Sequence, residues 1–511
     1  MTARTSVAMT ADLERDLREH LLRADGQEDL CLATYRPSTG ATRRTALVRT
    51  LIAPRSGDRE IHGTATITSD YILRAATDAQ ERDEGVVLCH SHPGGSGWQA
   101  MSGPDRDTES SYANLVREIT GLPLVGMTLA GRDRRWSARH WDIGAGAAVT
   151  ETQSENVRVV GEHLTVSWND ALVAPPAPQR TQRRSVTCWG PEVHADLTRR
   201  SVLVVGLGSV GLDVAVRLAA TGVARLGVMD FDTVEEANLD RLIGATATDA
   251  WLRRSKAEVA RRLLAEASTA ARSKLRAWEL SICEPEGMRV ALDFDLVVSC
   301  VDRPWPRAVL NAMAYRDLIP VVDGGIAIDA FPDDQGMRNA TWRSHVIRPG
   351  RPCLSCNDQL DLGAVAADKA GVLEDPAYIA GLGGAPTPAG GQNVAVLSIS
   401  AAASILAQYV SLNVAPGGIG EPGPLQYVLS THTLEHLNVT SREHCPVEAI
   451  TGAGDRGPNL TGPHQAAEEQ RRGRAQVPIA LRAGRTLNDA LWWAGRGLAS
   501  LARRSMRRSN S

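Results

Sequence analysis

Residues 201–242 read SVLVVGLGSVGLDVAVRLAATGVARLGVMDFDTVEEANLDRL, and this stretch decides the fold. Its opening run, residues 202–205, is apolar and β-branched, which predicts a buried strand. Gly206-Leu-Gly208-Ser-Val-Gly211 follows and leads into a helical pattern through Leu218. A strand that turns on glycines into a helix brings backbone N–H groups and the positive helix end up to a phosphate. Residues 225–229 predict a second strand, and Asp230 at its end stands where an acceptor for ribose hydroxyls belongs. To this point a dinucleotide oxidoreductase fits equally well, because glycines serve packing alone at many strand-to-helix turns.

The residues after Asp230 separate the two readings. Asn238 and Arg241 follow shortly, and Lys256 comes later. Cations beyond the ribose acid can reach the far phosphates of a triphosphate, and a nicotinamide dinucleotide has no γ-phosphate for them to hold. Lys256 is one of three lysines, with Lys274 and Lys369, among 56 basic residues, so its place is no accident of composition. Residues 295–301, DLVVSCV, predict a third apolar strand, with Asp302 beyond it as a ligand for Mg²⁺. Strand, glycine loop, acid, Asn-x-x-Arg, Lys and closing Asp together resemble the adenylating domain of the ThiF/MoeB and ubiquitin-activating enzyme family, over roughly residues 180–445. The resemblance implies an ATP site. Gly206, Gly208 and Gly211 would cradle phosphate, Asp230 would hold the ribose, Asn238, Arg241 and Lys256 the phosphates, and Asp302 the Mg²⁺. Arg241, Lys256 and Asp302 would be catalytic.

Upstream, residues 10–24 are helical in pattern, and residues 28–35 and 45–52 predict strands. After a helical stretch at 69–78, the short strand 85–89 delivers His90-Ser-His92-Pro93, then a glycine-rich loop and Ser102-Gly-Pro-Asp105. Histidines at i and i+2 on an extended strand project to one side, within reach of a single metal ion. Asp105 supplies a third ligand, and three protein ligands leave a fourth position for water, which is the catalytic arrangement. This HSHP…SxxD run resembles the JAMM (JAB) zinc isopeptidase family, over about residues 10–145. The resemblance implies Zn²⁺ on His90, His92 and Asp105, Ser102 beside the oxyanion, and an upstream glutamate as general base. Glu28 is the expected base and Glu60 the substitute. Nine residues separate His92 from Ser102, where seven is the commoner spacing in that family. The implied chemistry is hydrolysis of an amide or isopeptide by metal-bound hydroxide, with the carboxylate carrying the proton.

At 511 residues the chain calls for two or three domains. Hydrophobic residues at 43% and charged residues at 23% fit a globular protein with ample core, and a net charge of −3 argues against general nucleic-acid binding. No apolar run is expected to span a bilayer, and the N-terminus has no signal-peptide core. The eight cysteines lie mostly in apolar runs, which reads as reduced thiols and a cytoplasmic protein. Trp136, Trp141 and Trp168 read as core.

Residues 174–184 form a Pro-rich, basic linker. ThiF-like enzymes carry an arginine near this point that reaches the partner subunit's ATP in a homodimer; Arg183 or Arg184 has that role here, or is a solvated linker charge. Cys353 and Cys356 form half of a metal knuckle. A structural Zn²⁺ on Cys353, Cys356, Cys445 and either His444 or Glu448, and a degenerate site without metal, both stay open. Residues 382–392 stand where this family places a crossover loop over the carrier's tail. No cysteine occurs from 357 to 444, so a covalent step on that loop is excluded. Residues 452–473 read as loop or disorder. Residues 471–511 carry ten arginines and one acid, Asp489, with Leu487, Leu491, Trp492, Leu498 and Leu501 on one helical face. That pattern suits an anionic membrane or a partner groove, or a helix packed on its own domain.

The expectation is therefore an α/β protein of two heads. A JAMM-like mixed α/β metallopeptidase domain spans 1–150, a linker 151–195, a Rossmann-like ThiF adenylating domain 196–450, and a basic, partly disordered tail 451–511. Expected cofactors are Zn²⁺ and ATP with Mg²⁺. Expected partners are a ubiquitin-like or sulfur-carrier protein ending in Gly, a conjugating enzyme and a second copy of the chain. Two alternatives are adenylation of a small-molecule or peptide carboxylate, and a non-catalytic module that docks a carrier for the peptidase.

Overall fold

The computed structural model describes residues 4–144, 148–331, 336–372 and 394–509, with side chains to residue 495. The loop read at 382–392 and the side chains of Leu498 and Leu501 lie outside the described set. The N-terminal half contains β1 (Arg4–Thr10), α1 (Ala11–Leu21), β2 (Leu30–Thr39), β3 (Arg43–Ile52), β4 (Arg59–His62), β5 (Thr64–Ile67), α2 (Ser69–Gln80) and β6 (Gly85–His92). It continues through α3 (Gly103–Thr120), β7 (Leu124–Ala130), β8 (Trp136–Ile143), β9 (Val149–Gln153), β10 (Asn156–Val160) and β11 (Thr165–Trp168). Nine of these strands form one sheet in the order β11-β10-β1-β3-β2-β6-β7-β8-β9, and β4 and β5 pair as a separate hairpin. Period-two alternation sends Cys31 and Ala33 of β2 toward α1, and Leu30 and Leu32 toward α2 and α3 on the other face.

The second half contains α4 (Arg183–Trp189), α5 (Pro191–Arg199), β12 (Ser201–Val205), α6 (Ser209–Thr221), β13 (Arg225–Met229), α7 (Ala247–Trp251), α8 (Lys256–Ala267) and β14 (Lys274–Trp278). Then come α9 (Pro285–Ala291), β15 (Leu296–Ser299), α10 (Pro304–Arg316), β16 (Val321–Ala330), β17 (Met337–Ile347), α11 (Leu362–Lys369), a helix at Ala395–Val414, and β18 (Leu425–Val428) with β19 (Thr433–His436). The sheet order is β14-β13-β12-β15-β16-β17-β18-β19. β14 through β16 are parallel and β17 runs antiparallel to β16. This is a doubly wound sheet whose order reverses between β12 and its two neighbours, the point where such sheets bind ligands. α6, α8 and helix Ala395–Val414 cover one face; α9 and α10 cover the other.

Helix Ala395–Val414 corrects one expectation. It has 20 residues, with mean hydropathy 1.7 over an 18-residue window, and is long and apolar enough to cross a membrane by length and composition. Ile405, Tyr409 and Leu412 are buried in the core that backs the second sheet, so here the apolarity serves packing.

The domain boundaries also move. β10 pairs with β1 and β11 with β10, so the first sheet runs to Trp168 rather than ending at 150, and the expected linker 151–195 instead supplies two strands, α4 and α5. Trp136, Trp141 and Trp168 are buried as expected. The two halves share a core, in which Ala8, Leu47, Val160, Leu164, Val166 and Trp168 meet β12, β13 and helix Ala395–Val414. Beside it lies a buried ionic junction. Asp295 accepts from Arg43 Nη1 at 2.6 Å, Arg158 Nη1 at 3.3 Å, and Ser201 N and Oγ at 2.9 and 2.7 Å. Burial opposes ionisation of Asp295, yet Arg43, Arg225 and Arg158 hold its carboxyl far below the usual range. The tail is likewise ordered where the sequence reads as loop. Helix Gln465–Ala475 sits beside the Asp230 turn, with Arg474 donating to the Phe231 carbonyl at 2.5 Å and Arg471 gripping Glu284 at 2.6 and 2.8 Å. A last helix, Ile479–Ser509, begins against α7.

Candidate functional site

The glycine loop, Asp230 and Asp302 follow β12, β13 and β15, three adjacent parallel strands, and so meet at one end of the sheet. Each glycine has its own reason. Gly206 has φ +86°, and a Cβ there would lie 2.6 Å from the Cys300 carbonyl oxygen. A Cβ at Gly211 would lie 1.8 Å from the Gly206 carbonyl oxygen. A Cβ at Gly208 meets nothing within 4 Å. Two glycines close the turn, then, and the third keeps open the approach to the N-terminus of α6.

Asp230 is buried. Its carboxylate accepts from Leu207 N at 2.6 Å and Asp232 N at 2.8 Å, tying the glycine loop to the turn after β13. Burial pushes its pKa up to about 6, against the pull of Lys256. Lys256 Nζ donates to Asp232 Oδ2 at 2.8 Å. Burial alone would lower the Lys256 pKa, but Asp230, Asp232 and Asp302 outweigh it and hold the ammonium charged. Asp230, Lys256 and Asp302 are therefore brought together, with Asp302 exposed to solvent. Asn238 and Arg241 are held apart from this group among the described residues. Asn238 Oδ1 caps Glu235 N at 3.2 Å, and Arg241 Nη1 donates to the Ala237 carbonyl at 2.6 Å and to Asp240 at 2.8 Å. Asp232 was not singled out in the sequence; its spacing of two from Asp230, before a rare lysine, is the signal that could have found it. For ATP with Mg²⁺, the residues fit: an open loop at a helix start, a buried acid, a charged lysine and an exposed carboxylate.

The second candidate is in the first sheet. β6 runs beyond its expected end to His92, pairing His90 with Leu30 of β2 and with Thr128 of β7. Ser102 caps α3, accepting from Asp105 N at 3.2 Å and donating to Asp105 Oδ2 at 2.7 Å, and this places the Asp105 carboxylate over the histidines. His90 Nε2 lies 3.3 Å from His92 Nε2 and 3.9 Å from Asp105 Oδ2, and His92 Nε2 lies 3.6 Å from the same oxygen. Tetrahedral Zn²⁺ with bonds of about 2.0–2.1 Å separates its ligand atoms by roughly 3.3 Å, so the donor set fits.

Supporting contacts fit as well. Gln99 Oε1, on the two-residue-longer loop, meets His92 Nδ1 at 3.2 Å, and Glu109 Oε1 lies 4.0 Å from His90 Nδ1. Glu109 is fixed by Arg139 and by Trp141 Nε1 at 2.5 Å. Neither Gln99 nor Glu109 was foreseen, although Glu109 stands one helical turn after Asp105. Burial and Arg139 lower the His90 pKa to about 3, whereas the hydrogen bond to Asp105 raises that of His92 and lowers that of Asp105. Glu28 is half-buried; burial raises its pKa, and it feels the charges of His92 and Asp105. The next residue locks it in place, since Ser91 N donates to the Asp29 carbonyl and Asp29 N to Ser91 Oγ, both at 3.0 Å. Glu60 is exposed on the β4–β5 hairpin. Ser102 is engaged with Asp105 rather than free.

The third cluster joins Cys353, Cys356 and Cys445, all buried. Cys353 Sγ lies 3.7 Å from Cys356 Sγ and 3.6 Å from Cys445 Sγ. Zinc bonds to sulfur of about 2.3 Å imply ligand separations of roughly 3.8 Å, so three thiolates fit. Burial pushes the Cys353 thiol up to about 12 without a metal. His444 and Glu448 are exposed, and neither joins the three sulfurs as a ligand in this arrangement. Arg183 and Arg184 are exposed on α4.

Residues 181–435 match the ThiF family model. A sulfur carrier protein adenylyltransferase of Thermus thermophilus is 31% identical over 170 residues, 32% of this chain and 61% of that protein. The adenylyltransferase and sulfurtransferase UBA4 of Meyerozyma guilliermondii is 32% identical over 160 residues, 31% of this chain and 34% of that protein. The chain thus spans less than two thirds of the length of these relatives. A solved structure of E. coli MccB with ATP is similar at 17% identity and TM-score 0.40, covering 53% of this chain and 74% of that one. Residues 181–435, which contain the glycine loop, Asp230, Lys256 and Asp302, form a ThiF-family domain.

Proposed function

We propose that the ThiF-family domain adenylates the C-terminal carboxylate of a ubiquitin-like or sulfur-carrier protein ending in glycine. In the step, a carboxylate oxygen bonds to the α-phosphorus of ATP, the bond from that phosphorus to the bridging oxygen breaks, and pyrophosphate leaves. The observation that carries this reading is the convergence of the open Gly208 turn, buried Asp230, the Lys256–Asp232 pair and Asp302 at the ends of three adjacent strands. Asp230 holds the ribose, and Lys256 neutralises phosphate charge as it shifts toward the leaving group. Asp302 would hold Mg²⁺, which would supply further charge neutralisation. Arg241 joins the phosphates by leaving Asp240. The relatives that carry sulfur-carrier adenylyltransferase names support this choice of acceptor over a small-molecule carboxylate.

The first sheet supports a second activity in the same chain, hydrolysis of an amide or isopeptide bond at the carrier's C-terminus, as in JAMM-type peptidases. His90, His92 and Asp105 would hold Zn²⁺, whose bound water is acidic enough to supply hydroxide near neutral pH. Glu28 would accept a proton from the attacking water and return it to the leaving amine. Ser102, once released from Asp105, donates to the developing oxyanion. Cys353, Cys356 and Cys445 would hold a structural Zn²⁺. We further place the protein in the cytoplasm as a homodimer, with Arg183 or Arg184 reaching the partner's nucleotide, and with the adenylate passing to a separate conjugating enzyme's thiol.

Carrier-dependent ATP–pyrophosphate exchange tests the first activity. Asp302→Ala should lower exchange by about 10²-fold or more while the melting temperature stays unchanged. Full exchange in Asp302→Ala would refute the assignment, as would docking of the carrier without any exchange in the unaltered chain.

A further inference from the structure

The last helix, Ile479–Ser509, is held by its polar side. Arg485 donates to the Leu252 carbonyl at 2.5 Å and also to that of Arg253, and Asp489 and Asn488 accept from Arg254 at 2.7 and 2.9 Å. Its two tryptophans also face the domain, with Trp492 half-buried and the Trp493 ring centroid 5.3 Å from the Arg261 guanidinium carbon of α8, whereas its exposed leucines lie on the other side. Ile479 is 83% exposed, Leu487 63% and Leu491 64%. Leu487 and Leu491 stand one turn apart and make a solvent-exposed stripe, with Leu491 at the edge of a cleft it shares with Thr248 and Leu263. A helix packed on its own domain by its leucines would bury that stripe; this one turns its hydrogen-bonding side and its tryptophans to the domain and leaves Leu487 and Leu491 in solvent.

The charge of the segment indicates what covers the stripe. Residues 479–511 contain seven arginines, no lysine and a single acid, Asp489, which Arg254 already neutralises. A second copy of such a segment, laid face to face, would bring like charges together. A surface with an apolar interior and anionic headgroups complements both features, and arginine suits its boundary.

We infer that helix Ile479–Ser509 is a peripheral membrane anchor. It lies in the plane of an anionic lipid surface with Leu487 and Leu491 in the acyl boundary. Its polar side fastens to α7 and so holds the nucleotide end of the second sheet near the membrane.

The test is co-sedimentation of the full chain with vesicles of phosphatidylcholine alone and of phosphatidylcholine mixed with phosphatidylglycerol. The chain should sediment with the mixed vesicles and stay in solution with the neutral ones, and raised salt should weaken its binding. Leu487→Asp/Leu491→Asp should weaken partition about tenfold or more. Circular dichroism checks that this variant folds. If it does not, Arg503→Ser/Arg504→Ser/Arg507→Ser/Arg508→Ser replaces it and should lose binding to the same vesicles. The inference is overturned if the mixed vesicles capture no protein, or if folded variants bind them as well as the unaltered chain. It is equally overturned if the chain dimerises in lipid-free solution and Leu487→Asp/Leu491→Asp abolishes the dimer, since a second copy then covers the stripe.

Discussion

Glu28 and Lys256 show how much one residue's setting decides. Lys256 was legible because lysine is so rare here, and its charge is secured by Asp230, Asp232 and Asp302. Glu28 was legible only through the family pattern. The hydrogen bonds between Asp29 and Ser91 hold it beside the histidine pair, and burial raises its pKa. The peptidase reading predicts about one Zn²⁺ per chain in this cluster, lost in His90→Ala and in Asp105→Ala, with elemental analysis as the readout. Glu28→Gln should keep that metal and lose cleavage by about 10²–10⁴-fold, because only proton transfer is removed. Normal cleavage by Glu28→Gln, with loss in Glu60→Gln, would transfer the role to the hairpin. What the sequence hid at this scale were partners brought by tertiary folding, such as Arg139 on β8 for Glu109 on α3.

The glycine loop is the element on which the fold turns, and its three glycines should respond differently to one methyl group. Gly211→Ala drives a Cβ to within 1.8 Å of the Gly206 carbonyl oxygen, and Gly206→Ala places it against Cys300 at a positive φ. Both involve backbone, which cannot step aside, so both should unfold several degrees early or fail to fold. Gly208→Ala meets no protein atom. It should melt like the unaltered chain but lose protection by ATP, because the methyl occupies space a phosphate would take. Thermal melts with and without ATP separate these outcomes; a Gly208→Ala chain still protected by ATP would move the phosphates elsewhere. Most elements were readable from periodicity, including β12, α6, β13 and β6. Helix Gln465–Ala475 was not, because it is mostly polar and is held by Arg471 and Arg474 to distant acids and carbonyls, which leaves no apolar rhythm.

The relation between the two heads belongs to the whole molecule, and the sequence suggested a tether. The stretch 174–184 looks like a stiff linker that would raise one site's effective concentration at the other to roughly millimolar. A shared core and the Asp295 junction make that tether dispensable. Asp295, Arg43 and Arg158 are fully buried, and removing the acid would strand two guanidiniums at a cost of about 3–5 kcal/mol. Apolar neighbours such as Val160, Leu164 and Trp168 would be exposed if the halves parted. Chains 1–176 and 177–511, expressed together, should therefore co-purify as one complex and remain joined in high salt, because buried pairs are little screened. The pH dependence has a definite sign. A carboxyl depressed below its unfolded value contributes stability above that value, near 4, and loses it only as the pH falls through the lower folded pKa. The fragments should accordingly hold together at pH 5 as firmly as at pH 8. Asp295→Ala should release them, or leave them insoluble, in the same preparation. Elution of the unaltered halves as separate, soluble species on size exclusion would show that the heads are independent domains on a string, and that the histidine cluster and the glycine-loop site keep no fixed offset.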